Sequence, residues 1–109
     1  MKTFRTLELA IEFYEVAENL KVKGHMRDQL LRAASSIALN LSEGNAKSSV
    51  KEKKRYYQTA YASLKECEVI FRLIKTKDEK LAGLTNHLGA SLYKLMKSQL
   101  ETIDPEIPF

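Results

Sequence analysis

Residues 29–44 read Gln29-Leu30-Leu31-Arg32-Ala33-Ala34-Ser35-Ser36-Ile37-Ala38-Leu39-Asn40-Leu41-Ser42-Glu43-Gly44. Apolar side chains return at Leu30, Leu31, Ala34, Ile37, Ala38 and Leu41, the three- and four-residue step of one helix face rather than the two-residue alternation of a strand. Gly44-Asn45 closes the run as a helix C-terminal signal. The spacing predicts a helix from about residue 26 to residue 43.

The same period extends outward in both directions. A first helix is predicted over about residues 3–22, with Leu7, Ile11, Tyr14 and Ala17 on one stripe and Leu9, Phe13, Val16 and Leu20 on a second. Lys23-Gly24-His25 separates it from the next, with Gly24 read as its terminator. Ser49-Val50-Lys51-Glu52 has the form of a capping box, serine at the cap and glutamate three residues on. It opens a third helix, about 50–75, striped by Tyr57, Ala60, Tyr61, Leu64, Cys67, Phe71 and Ile74. Thr76-Lys77-Asp78 makes a turn into a fourth, about 79–101, which buries Leu81, Leu84, Leu88, Leu92 and Leu95. Thr102 to Phe109 reads as a tail with Asp104-Pro105 as its breaker. The expectation is one all-α domain over 1–109, an antiparallel up-down-up-down four-helix bundle with short loops.

Composition agrees. The chain has 109 residues, 44% of them hydrophobic, with four glycines, two prolines and one cysteine. That length suits a single domain, and the apolar fraction exceeds what disordered chains carry. A lone cysteine excludes an internal disulfide scaffold. The longest stretch without a formal charge, Leu81 to Tyr93, has 13 residues, whereas a membrane helix needs about 20. Glu8 and Glu12 interrupt any apolar signal-peptide core. A cytoplasmic location without membrane attachment is expected.

On a helical wheel, Arg5, Glu8, Glu12, Glu15 and Asn19 share one polar wedge, and most of the remaining circumference of helix one is apolar. A bundle helix ordinarily shows an apolar stripe somewhat over about 100° wide. The second stripe, Leu9, Phe13, Val16 and Leu20, therefore reads as a spare face. On helix three, Ala62, Val69 and Leu73 line up opposite the main stripe. These seven residues are candidates for a subunit interface; scattered surface apolar residues are the alternative.

The formal excess of +4 sits in one place. Residues 47–55 hold five basic residues, Lys47, Lys51, Lys53, Lys54 and Arg55, and one acid, Glu52; the rest of the chain balances. A helix N-terminus adds unpaired backbone N–H groups and the positive end of the dipole, so this segment is a candidate phosphate site for RNA or DNA. Tyr56 and Tyr57 stand beside it as candidates for stacking on bases. The other reading of the segment is a solvated charge run.

Catalytic chemistry is not expected. His25 and His87 lie 62 residues apart, no Cys or His cluster has metal-ligand spacing, and Cys67 falls on an apolar stripe. Neither histidine has a glutamate three residues before it, as a di-iron bundle requires. No cofactor or metal is expected, and no residue is assigned a catalytic role. Arg32, Ser36, Asn40 and Glu43 recur along helix two away from its stripe, and Glu66 on helix three is placed to face them. They read either as a surface row of side-chain pairs or as a partly buried Arg–carboxylate network.

The run Gln29 to Gly44 resembles the signature Q-x-x-R-A-x-x-S-I-x-x-N-I-A-E-G of the four-helix-bundle proteins encoded in bacterial 23S rRNA intervening sequences. Tyr61-Ala62-Ser63-Leu64-Lys65-Glu66-Cys67-Glu68 resembles that family's helix-three segment A-x-G-S-x-x-E-x-E. Leu41-Ser42 replaces the usual Ile-Ala, Ala62 replaces a common glycine, and Gly24-His25 stands where Phe-Pro often precedes helix two. The resemblance implies a closed bundle assembling as a homopentamer, related to the accessory variability protein of diversity-generating retroelements, a basic pentamer that binds nucleic acid and a reverse transcriptase. It implies no enzymatic activity. Arg32, Ser36, Asn40, Glu43 and Glu66 match signature positions and take structural or interface roles on that basis. The expectation is a non-enzymatic, ring-forming protein that binds nucleic acid, with an oligomeric protein–protein adaptor as the alternative.

Overall fold

The structure, a computed structural model, describes residues 4–103. Four helices account for nearly all of them: α1 (Arg5–Glu18), α2 (Gly24–Ala46), α3 (Val50–Ile74) and α4 (Glu79–Ile103). There is no strand among the described residues. α1 packs on α2 and α4, and α3 packs on α2 and α4, so each helix has two neighbours. Side chains of the remaining pair also meet: Phe13 of α1 lies 5.9 Å from Phe71 of α3, and Phe4, which caps the start of α1, lies 6.4 Å from Tyr57, centroid to centroid.

All four helices supply one core, which includes Phe13, Leu30, Ile37, Leu41, Leu64, Cys67, Leu88 and Leu92. Burying a leucine or phenylalanine side chain contributes about 1.5–3 kcal/mol, so this cluster supplies the main driving force for folding. The stripes expected on α3 and α4 face it, as does that on α2 except for Leu31. The α3 start is as anticipated: Ser49 caps the helix, its hydroxyl accepting the Glu52 N–H at 3.3 Å. Asp78 does the same for α4, accepting the Leu81 N–H at 2.9 Å.

Three features depart from the sequence reading. On α1 both stripes supply the core, since Ala17 of the first is fully buried and Leu7 and Tyr14 pack at its edge. Leu9 is 7% exposed and Phe13 fully buried, with Val16 and Leu20 packed at the core edge, while Ile11 of the presumed inner stripe is 42% exposed. The wide apolar arc of α1 is explained by its position between two helices, so Leu9 and Phe13 are core residues and not an interface. Second, α1 ends at Glu18, and Gly24 begins α2 with φ +65°. Its lack of a Cβ lets the chain turn into the helix through a left-handed conformation. His25 accordingly belongs to α2 and not to a loop. Third, α2 runs past Gly44 to Ala46, and α4 continues through Ile103; residues 104–109 of the expected tail, and Thr3 of the first expected helix, lie outside the described residues.

Candidate nucleic-acid interface

The loop from α2 into α3 and the first turns of α3 carry the five cations, and the structure divides them into three roles. Lys53 is turned back. Its Nζ donates to the carbonyl oxygens of Gly44 at 3.2 Å and Asn45 at 3.0 Å, satisfying acceptors that the end of α2 leaves open. Lys47 sits 3.7 Å from the Glu43 carboxylate and 5.4 Å from the Tyr56 ring centroid. Lys51, Lys54 and Arg55 line a shallow surface depression of about 370 Å³ with Glu52 and Gln58. Lys51 and Arg55 are exposed and Lys54 half-buried, and none of the three forms an ion pair among the described residues.

The tyrosines do different work. Tyr57 is buried in the core, where burial pushes its phenol above the usual value, so it is not available to stack on a base. Tyr56 is half-buried, and its ring is taken up by Lys47 and by Arg55, whose Cζ lies 5.5 Å from the centroid. Cation–π contacts of this kind stabilise by about 0.5–1 kcal/mol at exposed sites. They leave a surface equipped for anions rather than for aromatic stacking.

Gly44 fixes this corner. A Cβ built there would stand 2.7 Å from Tyr57 Cε1 and 3.0 Å from Tyr56 Cβ. The glycine, legible in the sequence only as a helix end, is what lets α2 and the start of α3 approach closely.

The polar row on α2 is partly inward. Ser36 and Ser63 hydroxyls share a 2.8 Å hydrogen bond between α2 and α3, and Asn40 Nδ2 donates to the Ser36 carbonyl at 2.8 Å and hydroxyl at 3.0 Å. Arg32 donates to Gln29 on its own helix, and Arg32 and Glu66 are both exposed. An Arg–carboxylate network is therefore not formed among the described residues; hydroxyl and amide groups join α2 to α3 at this level instead. Ser63 was the residue that periodicity alone did not single out, and its position beside Ser36 is the missing half of the contact.

The family model described as 23S rRNA-intervening sequence protein matches residues 4–103, nearly the whole chain. The chain belongs to that family. No curated protein and no solved structure matches it. His25 and His87 are exposed on α2 and α4. The Cys67 thiol is buried and pushed up to about 12, first by desolvation and then by the carboxylates of Glu66 and Glu68. No helix among the described residues is long and apolar enough to cross a membrane, and no three of their His, Cys, Asp or Glu side chains gather as a metal site would need.

Proposed function

We propose that this intervening-sequence protein is a non-catalytic, self-associating antiparallel bundle that holds RNA or DNA phosphates through Lys51, Lys54 and Arg55, in the cytoplasm. The observation that carries the reading is the division of the basic segment. Lys53 is engaged with backbone carbonyls and Lys47 with Glu43, whereas Lys51, Lys54 and Arg55 stand together with no acid paired to them among the described residues, Arg55 lying over the Tyr56 ring. A charged group kept without an internal partner is available for an external one.

Cross-helix contacts support the up-down-up-down course. From Ser36 to Gly44 on α2 the contact on α3 moves back from Ser63 to Tyr57, while from Phe4 to Phe13 on α1 it moves forward from Tyr57 to Phe71. On these contacts α2 runs opposite to α3 and α1 runs the same way as α3, while Gly89 beside Leu64 and Leu81 and Thr85 beside Phe71 favour α4 running opposite to α3. Self-association, as a pentameric ring on the family resemblance, would repeat the three cations around the assembly and make weak phosphate contacts act together.

The test is retention of a short RNA on a filter at low and moderate salt, for the native chain and for Lys51→Glu/Lys54→Glu/Arg55→Glu. Retention should be salt-sensitive and should vanish in the triple variant while its circular dichroism stays unchanged. Retention that survives the triple change overturns the assignment. A second reading, an adaptor for a protein such as a reverse transcriptase, draws on the exposed Leu39, Val69 and Leu73. It predicts an oligomer indifferent to RNA.

A further inference from the structure

We infer that the basic site extends from α3 across to α4, where Tyr93 stacks on an unpaired base and Lys97 meets a further phosphate, so that the ligand is an unpaired nucleic-acid strand and not a duplex. This rests on the phosphate-binding reading above and names the form of nucleic acid that the site takes.

The five tyrosines differ in what covers their rings. Tyr57 is in the core, and Tyr14 and Tyr61 pack against it, Tyr61 with Lys65 Nζ 5.0 Å from its centroid. Tyr56 is taken up by Lys47 and Arg55. Tyr93 is 53% exposed and makes no ring or cation–π contact among the described residues. An aromatic face left open beside cations is a platform on which any unstacked base can lie.

Helical period and packing put this ring next to the cations. A Cβ on Gly89 of α4 would fall 3.5 Å from Leu64 Cδ2 of α3, and Leu81 and Thr85 share a surface depression with Phe71. Advance along α4 is thus matched by retreat along α3. One turn past Gly89, Tyr93 comes level with Ala60 and Tyr61; one turn further, Lys97 comes level with Tyr56 and Tyr57. The sides agree as well. Ala82 and Asn86 line the α3–α4 depression, and Tyr93 follows them by eleven and seven residues, close to whole turns. Lys97 follows Asn86 by eleven. On α3, Glu68 and Arg72 line the same depression; Lys54 precedes Glu68 by fourteen residues and Gln58 precedes Arg72 by fourteen. The edge of α3 that carries Lys54 and Gln58 therefore borders the edge of α4 that carries Tyr93 and Lys97. Lys54 stands about six residues beyond Tyr93, about 9 Å at about 1.5 Å per residue. A strand whose phosphates meet Lys51 and Lys54 passes Lys97 and brings a base to Tyr93.

The surrounding charges leave that course open. Lys97 is exposed and forms no ion pair among the described residues. Glu52 shares the depression of Lys51 and Lys54, and Glu68 is held by Lys65 at 3.1 Å. Asp78 and Glu79 stand with Arg72 and Lys77 at the far end of the α3–α4 depression. α1 and its acids lie on the other side of α4, which meets α1 through the 2.6 Å hydrogen bond between Thr6 and Ser91. The side chain of Glu101 lies outside the described residues. A duplex keeps its base faces stacked on one another and offers this surface only phosphates; an unpaired strand offers both phosphates and base faces.

The test is filter retention, at low salt, of a short oligoadenylate as RNA and as DNA, beside a base-free strand and a duplex of the same length. The proteins are the native chain, Tyr93→Ala, Tyr93→Phe and Lys97→Met. Both positions are exposed, so the fold should survive, which circular dichroism checks. Tyr93→Ala should weaken oligoadenylate binding about five-fold or more and leave the base-free strand and the duplex unchanged, while Tyr93→Phe keeps native binding. Whichever of RNA and DNA loses affinity is the ligand; a loss on neither overturns the stacking, as does an equal loss on the base-free strand. Lys97→Met should weaken base-bearing and base-free strands alike and make the salt slope shallower by about 0.7. An unchanged slope overturns the extension to α4. A native chain that retains no strand, or retention that survives the Lys51, Lys54 and Arg55 triple change, overturns the phosphate reading itself, and so is distinguishable from failure at Tyr93 and Lys97 alone.

Discussion

Gly44 and Tyr57 are in steric register: a Cβ on Gly44 would fall 2.7 Å from the Cε1 of the buried tyrosine ring. Glycine within a helix ordinarily costs about 1 kcal/mol relative to alanine. Here the relation reverses, because the tyrosine ring is packed against Phe4 and the second close atom is Tyr56 Cβ, next to backbone. Overpacking of this sort costs about 1–3 kcal/mol. Gly44→Ala should lower the urea midpoint despite its better helix propensity. An unchanged or raised midpoint would mean that α2 and α3 can separate freely at this corner.

Lys53 separates charge from retention. Replacing it with methionine removes its two hydrogen bonds to the end of α2 while keeping most of the aliphatic stem. A loss of about 0.5–1.5 kcal/mol is expected from those contacts. Filter retention of RNA should change less than it does on replacing Lys51 with methionine. Comparing the two single variants by denaturation and by retention checks the division of roles; equal retention losses would contradict it.

Salt dependence gives the number of cations engaged per chain. Three contacts to a single strand predict a slope of log K against log salt of about −2 for an isolated chain, from about −0.7 per phosphate. Linked chains multiply that slope. A titration of binding against sodium chloride reads it directly, and a slope near zero would exclude the phosphate contacts.

Cys67 should be inert in the native state. Its thiol is pushed from 9.0 up to about 12, chiefly by burial, so the reactive thiolate is scarce at pH 8. Ellman's reagent should react slowly with the folded chain and rapidly in denaturant. The same shift has a sign for stability. The folded state holds the proton more tightly, so above about pH 9 the unfolded chain gains by ionising and stability falls as pH rises toward 12. Cys67→Ser should flatten that fall, as read from denaturation midpoints at pH 8 and pH 10.

Much of this is legible in the sequence. Four periodic segments, the Ser49 cap and the +4 segment are local patterns, and local patterns are what a linear sequence displays. Helix ends were blurred where they depended on neighbours: Gly24 serves the start of α2 and not the end of α1, and Gly44 lies inside α2, where its missing Cβ makes room for Tyr56 and Tyr57 rather than ending the helix. The candidate site was legible as composition and illegible as geometry. Five cations in nine residues look equivalent in a list, yet Lys53 is spent on backbone carbonyls and Lys47 on Glu43 and Tyr56.

By itself, the sequence determined that the chain is all-α, where the four helices run, and where its charge excess lies, because helical period, capping and charge are set by residues within a few positions of one another. The packing of the helices settled which members of the two α1 stripes are core and which residues are left in water. A wheel shows that α1 has more than one apolar direction; only the placement of α2 and α4 on either side buries Leu9 and Phe13 and exposes Ile11. The period does place Leu39 off the α2 stripe, but how far Ile11 is left uncovered depends on what comes from elsewhere in the chain to meet it.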